Sequence, residues 1–154
     1  MLADDLRGRA PATTDWFTLD AAKVKAFADA TEDWQFIHLD EDRAAAETPF
    51  GGAIAHGFLT LSMLSAMSYQ VVTDLPGVTS SVNYGFDRIR FVSPVRVGSR
   101  VRGVFTVASV DEREGALDVH WDVEVQIEGQ GRPALAANWI TRFFLAEDAA
   151  AQRP

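Results

Sequence analysis

The chain has 154 residues, enough for one domain around one core. Hydrophobic residues make up 47% and charged residues 23%, a globular composition and not a disordered one. The formal net charge of -8 sets an acidic surface against phosphate backbones, so no nucleic-acid partner is expected, and the absence of cysteine excludes disulfides, thiolate metal sites, iron–sulfur clusters and thiol nucleophiles.

Residues 1–14 carry Gly8, Pro11 and mixed charge, and read as a loose arm. They lack the basic-then-apolar pattern of a signal peptide, so a cytoplasmic protein is expected. Trp16, Phe17 and Thr18 start a short strand. Asp20 caps a helix whose Ala21, Val24, Phe27 and Ala28 share one face. Residues 34–39 show neither helical nor strand period and read as a loop. Asp40 is a good N-cap for a short, alanine-rich helix over residues 41–47, ended by Thr48-Pro49-Phe50-Gly51-Gly52. Residues 53–72 follow as a long helix, apolar nearly all round. Its length approaches a membrane span, but its His56, Gln70 and hydroxyl residues favour burial within a globular domain, and no membrane partner is expected.

From Val78 the period becomes two. Residues 78–91 form a strand with a bend or bulge at Gly85. Residues 100–111 form the next, and Arg113-Glu114-Gly115 turns it. Residues 117–128 alternate most clearly: Leu117, Val119, Trp121, Val123, Val125 and Ile127 against Asp118, His120, Asp122, Glu124, Gln126 and Glu128. Gly129-Gln130-Gly131 turns that strand, and residues 133–145 form the last one. The tail, 147–154, reads as loose. Residues 1–154 make one domain of α+β class, an antiparallel β-sheet wrapped around a long central α-helix. One such layer leaves its edges open, so a homodimer is expected.

Three histidines are candidates for chemistry. His120 sits on the polar face of its strand and reads as a surface or interfacial residue. His56 opens the long helix and reads as structural, bonding a nearby loop. His38 lies in a loop, five residues after Asp33 and two before Asp40, exposed enough to titrate and close enough to a carboxylate to be tuned. Gly51-Gly52 and Ile54-Ala55-His56-Gly57 place backbone N–H groups at the positive end of a helix, where Gly57 admits a ligand oxygen. A base, an acid and such a donor serve proton transfer beside a carbonyl. Ser62 and Ser65 lie within the apolar helix, where serine bonds back to its own backbone. No phosphate loop or dinucleotide fingerprint is present, and no cofactor is expected. Metal binding by His38, Asp33 and Asp40 is the minor alternative.

The ordered set of motifs resembles the MaoC-like dehydratases, the (R)-specific enoyl-CoA hydratases of the hotdog fold, and within them the NodN-like subgroup. The segments that carry this are 27–33, Phe36-Ile37-His38-Leu39-Asp40, 44–50, Ile54-Ala55-His56-Gly57, 82–91 and Pro94-Val95-Arg96-Val97-Gly98, and the likeness spans about residues 16–145. The resemblance implies that Asp33 and His38 are the catalytic pair, that Gly57 holds the thioester oxygen, and that Ser62 supports the pair. The family's commoner motif has Asn and Pro where this chain has Gln35 and Phe36, and Gln35 still offers an amide. The reaction implied is reversible syn hydration of a trans-2-enoyl-CoA to an (R)-3-hydroxyacyl-CoA. Coenzyme A is anionic, and Arg88, Arg90, Arg96 and Arg100 are the candidate local cations. Two other functions suit the same fold: an acyl-CoA thioesterase, disfavoured because residues 53–72 contain no acid, and a non-catalytic acyl-CoA-binding protein.

Overall fold

The computed structural model describes residues 1–146, and the expected loose tail at 147–154 lies outside the described residues. The elements in chain order are α1 (Leu2–Arg7), β1 (Ala12–Thr13), β2 (Phe17–Thr18), α2 (Ala21–Thr31), α3 (Phe36–Leu39), α4 (Glu41–Glu47), α5 (Gly57–Val71), β3 (Val78–Phe91), β4 (Arg100–Arg113), β5 (Ala116–Ile127) and β6 (Leu135–Leu145). The strands form one antiparallel sheet in the order β1-β4-β5-β6-β3, with β2 also paired to β4. The expected α+β arrangement is present. The alternation along β5 sends Val119, Trp121, Val123, Val125 and Ile127 into the core while Asp122 and Glu124 stay outside. The irregularity expected at Gly85 is a register shift against β6 between Asn83 and Gly85.

The inner sheet face receives α5, whose Leu59, Leu64 and Met67 are buried. Two expectations about this helix need correction. It begins at Gly57 and not at residue 53, because the preceding N–H groups are already committed: Ala53 to Glu41 Oε2, Ile54 to the Ile37 carbonyl and Ala55 to the Val95 carbonyl. It is also not covered all round. One chain's sheet shields one side only, and Phe58 and Tyr69 are 67% and 72% exposed. Among the described residues no helix is long and apolar enough to cross a membrane.

The N-terminal arm is a further correction. Residues 1–14 are not loose: α1 lies against β4, Ala3 and Leu6 are buried, and β1 adds to the sheet. The apolar Ala3 and Leu6 are three apart, one helical turn, which puts both on the core side. Arg7 then closes the contact by donating to the Val110 carbonyl at 2.9 Å. Truncating Leu6, fully buried at 0% exposure, should therefore behave as a core deletion. Leu6→Ala is expected to cost about 2–5 kcal/mol in a denaturant titration; a loose arm would leave the midpoint unchanged.

Candidate active site

The site is assembled by two short connections, one leaving α2 and one entering α5. Asp20 caps α2 as expected, accepting from the Lys23 N–H at 2.8 Å. At its other end Glu32 takes a left-handed conformation, φ 60°, which turns the chain sharply, and Asp33 N–H bonds back to the Ala28 carbonyl. Asp33 Oδ1 then accepts from the Gln35 N–H at 3.3 Å. Residues 36–39, expected to be loop, form the single turn α3, a length too short for periodicity to reveal. That turn rotates His38 inward.

His38 is buried, 8% exposed, and not the open loop histidine expected. Its Nδ1 lies 2.7 Å from the Ile54 carbonyl. A carbonyl only accepts, so Nδ1 carries the hydrogen and neutral His38 keeps its lone pair on Nε2. That nitrogen is 4.0 Å from Asp33 Oδ2, whose side chain is 49% exposed. The gap is too long for a direct hydrogen bond, and it suits one water bonded at about 2.8 Å to each group. The His38 pKa is lowered: burial disfavours the imidazolium most, and His56 beside it acts the same way, against the opposing pull of the Ile54 carbonyl and Asp33.

His56 takes the structural place expected for it. Its Nε2 donates to the Asp33 carbonyl at 3.0 Å. Its ring stacks on His38 with centroids 3.7 Å apart, and the Phe27 ring of α2 lies tilted beside it at 5.0 Å. The ligand atoms of Asp33, His38 and His56 all lie within 4.8 Å of one another. His56 Nε2 donates to the Asp33 carbonyl, so that nitrogen offers no lone pair to a metal in this tautomer. Asp40, the third member of the metal alternative, is the N-cap of α4 and accepts from the Arg43 N–H.

Gly57 is the first residue of α5. Its N–H makes no hydrogen bond among the described residues; the helical bonds begin with Leu59 and Thr60 to the His56 carbonyl. The open N–H at a helix start can polarise a carbonyl oxygen. A Cβ at Gly57 would come within 3.1 Å of the Phe91 ring, so glycine lets that ring close over the helix entry. Beside it lies a hollow of about 270 Å³ lined by Ile54, Gly57, Thr60, Phe91 and Val95.

The remaining expected residues are not gathered here. Ser62 is exposed and donates to the Phe58 carbonyl at 2.7 Å, the back-bonded state that its helix position suggests. Gln35 meets Asp33 through its backbone N–H, not its amide. Arg88 and Arg90 are exposed on the outer sheet face beside Asp122, Glu124 and Asn138. Arg100 is paired with Glu128. Arg96 is a correction of another kind, because its guanidinium is committed inside the chain. It donates to Glu41 at 2.6 Å and to the carbonyls of Ala53 and Phe50. His120, half-buried, bonds Asp111 at 3.2 Å away from this site.

Arg96 and Glu41 thus clamp the segment that leads into His56 and Gly57, a role the linear sequence does not signal. Gly52 sits inside the clamp at φ 153°, where a Cβ would fall 2.1 Å from Glu41 Oε1 and 2.2 Å from Arg96 Nη2. Gly52→Ala is expected to lower stability by about 1–3 kcal/mol in thermal or urea unfolding. An unchanged midpoint would show that the clamp is not structurally required.

Comparison with known proteins identifies the family. Residues 4–128 match the MaoC like domain. The chain is 52% identical over 136 residues to Nodulation protein N of Rhizobium meliloti, covering 88% of this chain and 84% of that protein. It is 43% identical over 131 residues to 3-hydroxyacyl-thioester dehydratase Z of Mycobacterium tuberculosis, covering 84% and 85% respectively. Among solved structures it superposes on the (R)-hydratase from A. caviae involved in PHA biosynthesis with a TM-score of 0.70 and 29% identity, over 86% of this chain and 92% of that one. A helix-bearing antiparallel sheet of the hotdog type, with a matched domain over most of its length, makes this chain a member of the MaoC-like dehydratase family.

Proposed function

We propose that this chain is an (R)-specific enoyl-CoA hydratase working through Asp33 and His38. Its hydro-lyase class follows from the family, two of whose members above are named a dehydratase and a hydratase. The observation that carries the finer reading is the His38–Ile54 hydrogen bond. It leaves an unprotonated Nε2 facing the Asp33 carboxylate, one helix entry away from a free N–H.

The steps follow from that arrangement. The Gly57 N–H holds the thioester oxygen of a trans-2-enoyl-CoA and makes carbon 3 electrophilic. Asp33 accepts a hydrogen bond from one O–H of the bound water, which orients it; that hydrogen stays on the oxygen. His38 Nε2 takes the other proton as the water oxygen bonds to carbon 3. The electron pair of the 2,3 double bond moves toward carbon 2 and the carbonyl oxygen. The proton then passes from His38 to carbon 2 on the same face, which gives syn addition. Exposed Arg88 and Arg90 remain the proposed cations for the coenzyme's phosphates. Arg96 does not, because of its internal bonds. A cytoplasmic location goes with this reading.

A homodimer completes the proposal. The outer edge of β3 is unpaired among the described residues. Val82, Tyr84 and Phe91 on it, and Phe58 and Tyr69 on α5, are exposed apolar groups. A long open edge with such side chains is stabilised by pairing with a second copy. Sedimentation should report a dimer of the 16.9 kDa chain, and Val82→Glu with Tyr84→Glu should shift it to monomer.

The catalytic test is hydration of crotonyl-CoA followed by loss of the enoyl absorbance, with a stereospecific dehydrogenase reading the hand of the product. Asp33→Asn and His38→Ala should each lower kcat by roughly 10²-fold or more without altering the circular dichroism spectrum. Release of free thiol instead of hydration would make the chain a thioesterase, and saturable acyl-CoA binding without turnover would make it a binder.

A pH profile adds a second check. As pH falls through the His38 pKa, Nε2 is protonated and the base is lost, so kcat/KM is full above that pKa and falls below it. Because that pKa is lowered from 6.5, the midpoint of the acid limb should lie below pH 6.5. A limb above this value would contradict a buried, neutral His38.

A further inference from the structure

We infer that His56 is a positioning residue of the hydration reaction, because its one ring fixes both groups that hold the water. This rests on the hydratase reading above and goes beyond it. His38 lies flat against the ring, 3.7 Å between centroids and 24° between planes. Asp33 is held through its backbone carbonyl at 3.0 Å from His56 Nε2, and the same nitrogen is 3.9 Å from the Asp33 carboxylate. The distances from Asp33 Oδ2 to the two Nε2 atoms, 4.0 and 3.9 Å, show that the rings face one point side by side.

Two details make a merely space-filling role insufficient. His56 Nδ1 is buried and has no hydrogen-bond partner among the described residues. Burying an unpaired nitrogen is unfavourable, and a phenyl ring in the same place would avoid that cost. His56 also occupies the N-cap position of α5 yet makes no side-chain cap. A serine or aspartate there would occupy a first-turn N–H. His56 points its donor away from its own helix, toward Asp33, and leaves those N–H groups open. The titratable groups facing the stack are Asp33 and the two imidazoles; α2 contributes Phe27 and the helix entry contributes the Ile54 carbonyl.

The experiment compares His56→Phe, which keeps a flat ring without the donor, with His56→Gln, which keeps a donor without the ring. Both should reduce kcat on crotonyl-CoA by about tenfold or more, in line with loss of near-attack geometry, while KM stays within about twofold. Both should move the acid limb of kcat/KM to higher pH, because the neighbouring imidazole helps lower the His38 pKa. Nitrogen-15 NMR titration of His38 in the free protein reads the same shift without substrate. A wild-type kcat and an unmoved His38 titration in folded His56→Phe would overturn the inference. So would a kcat loss accompanied by a collapsed melting temperature and no shift, the signature of a purely structural residue. An NMR shift in a protein that hydrates no enoyl-CoA would support the clamp on His38 and sink the hydratase reading alone.

Discussion

The hydrogen bond from His38 Nδ1 to the Ile54 carbonyl is the constraint on which the site depends. It ties a single-turn helix to the entry of the longest helix, and it decides which nitrogen of His38 is bare. One residue earlier, the Ile37 carbonyl accepts the Ile54 N–H at 2.9 Å. Ile54 is thus gripped on both sides by α3, so α3 cannot rotate independently of α5. Local stability of a four-residue helix is negligible in isolation; here tertiary bonds to a buried extended segment supply it.

The segment that receives these bonds is itself held from the opposite side. Ala55 N–H donates to the Val95 carbonyl and Val97 N–H to the Ala53 carbonyl, a short bridge that includes Ile54 and Arg96. Residues 53–55 therefore act as a strand between α3 and the β3–β4 connection, and the guanidinium of Arg96 closes the end of that layer against Glu41. The rigid sheet is coupled through this layer to a histidine that would otherwise sit on a surface loop. It also explains why α5 starts late: its first potential turn is used to hold the connection that carries His38.

How much of this was legible depended on whether the information was local. The strand β5, the cap at Asp20, the cap at Asp40 and the irregularity at Gly85 are written in periodicity and short-range turn chemistry, and the structure has them. Asp33, His38 and Gly57 were legible as residue types in an ordered set of motifs. The burial of His38 and its stack on His56, eighteen positions away, are tertiary facts without a spacing signature. The same holds for Arg96, which read as a candidate cation for coenzyme A alongside Arg88, Arg90 and Arg100. Its bonds reach back to residues 41, 50 and 53, and nothing in the strand that precedes it announces them. The N-terminal arm misled for a related reason: six residues are too few to display a helical stripe, although Leu6 is among the most buried side chains.

The departure from the family motif at Gln35 and Phe36 has a physical answer in the same region. A proline at position 36 would stand at the first residue of α3, where its missing N–H costs nothing and its fixed φ suits a helix start. It would also push the preceding residue toward extended backbone. Gln35 has φ −56° and ψ 137° without a proline to impose them. Two contacts take over that work. Asp33 Oδ1 accepts the Gln35 N–H, and the Arg43 guanidinium of α4 lies 3.9 Å over the Phe36 ring, a cation–π contact. The turn between Asp33 and His38 thus reaches a proline-like backbone through side-chain contacts, so losing the proline does not by itself argue for a loosened site.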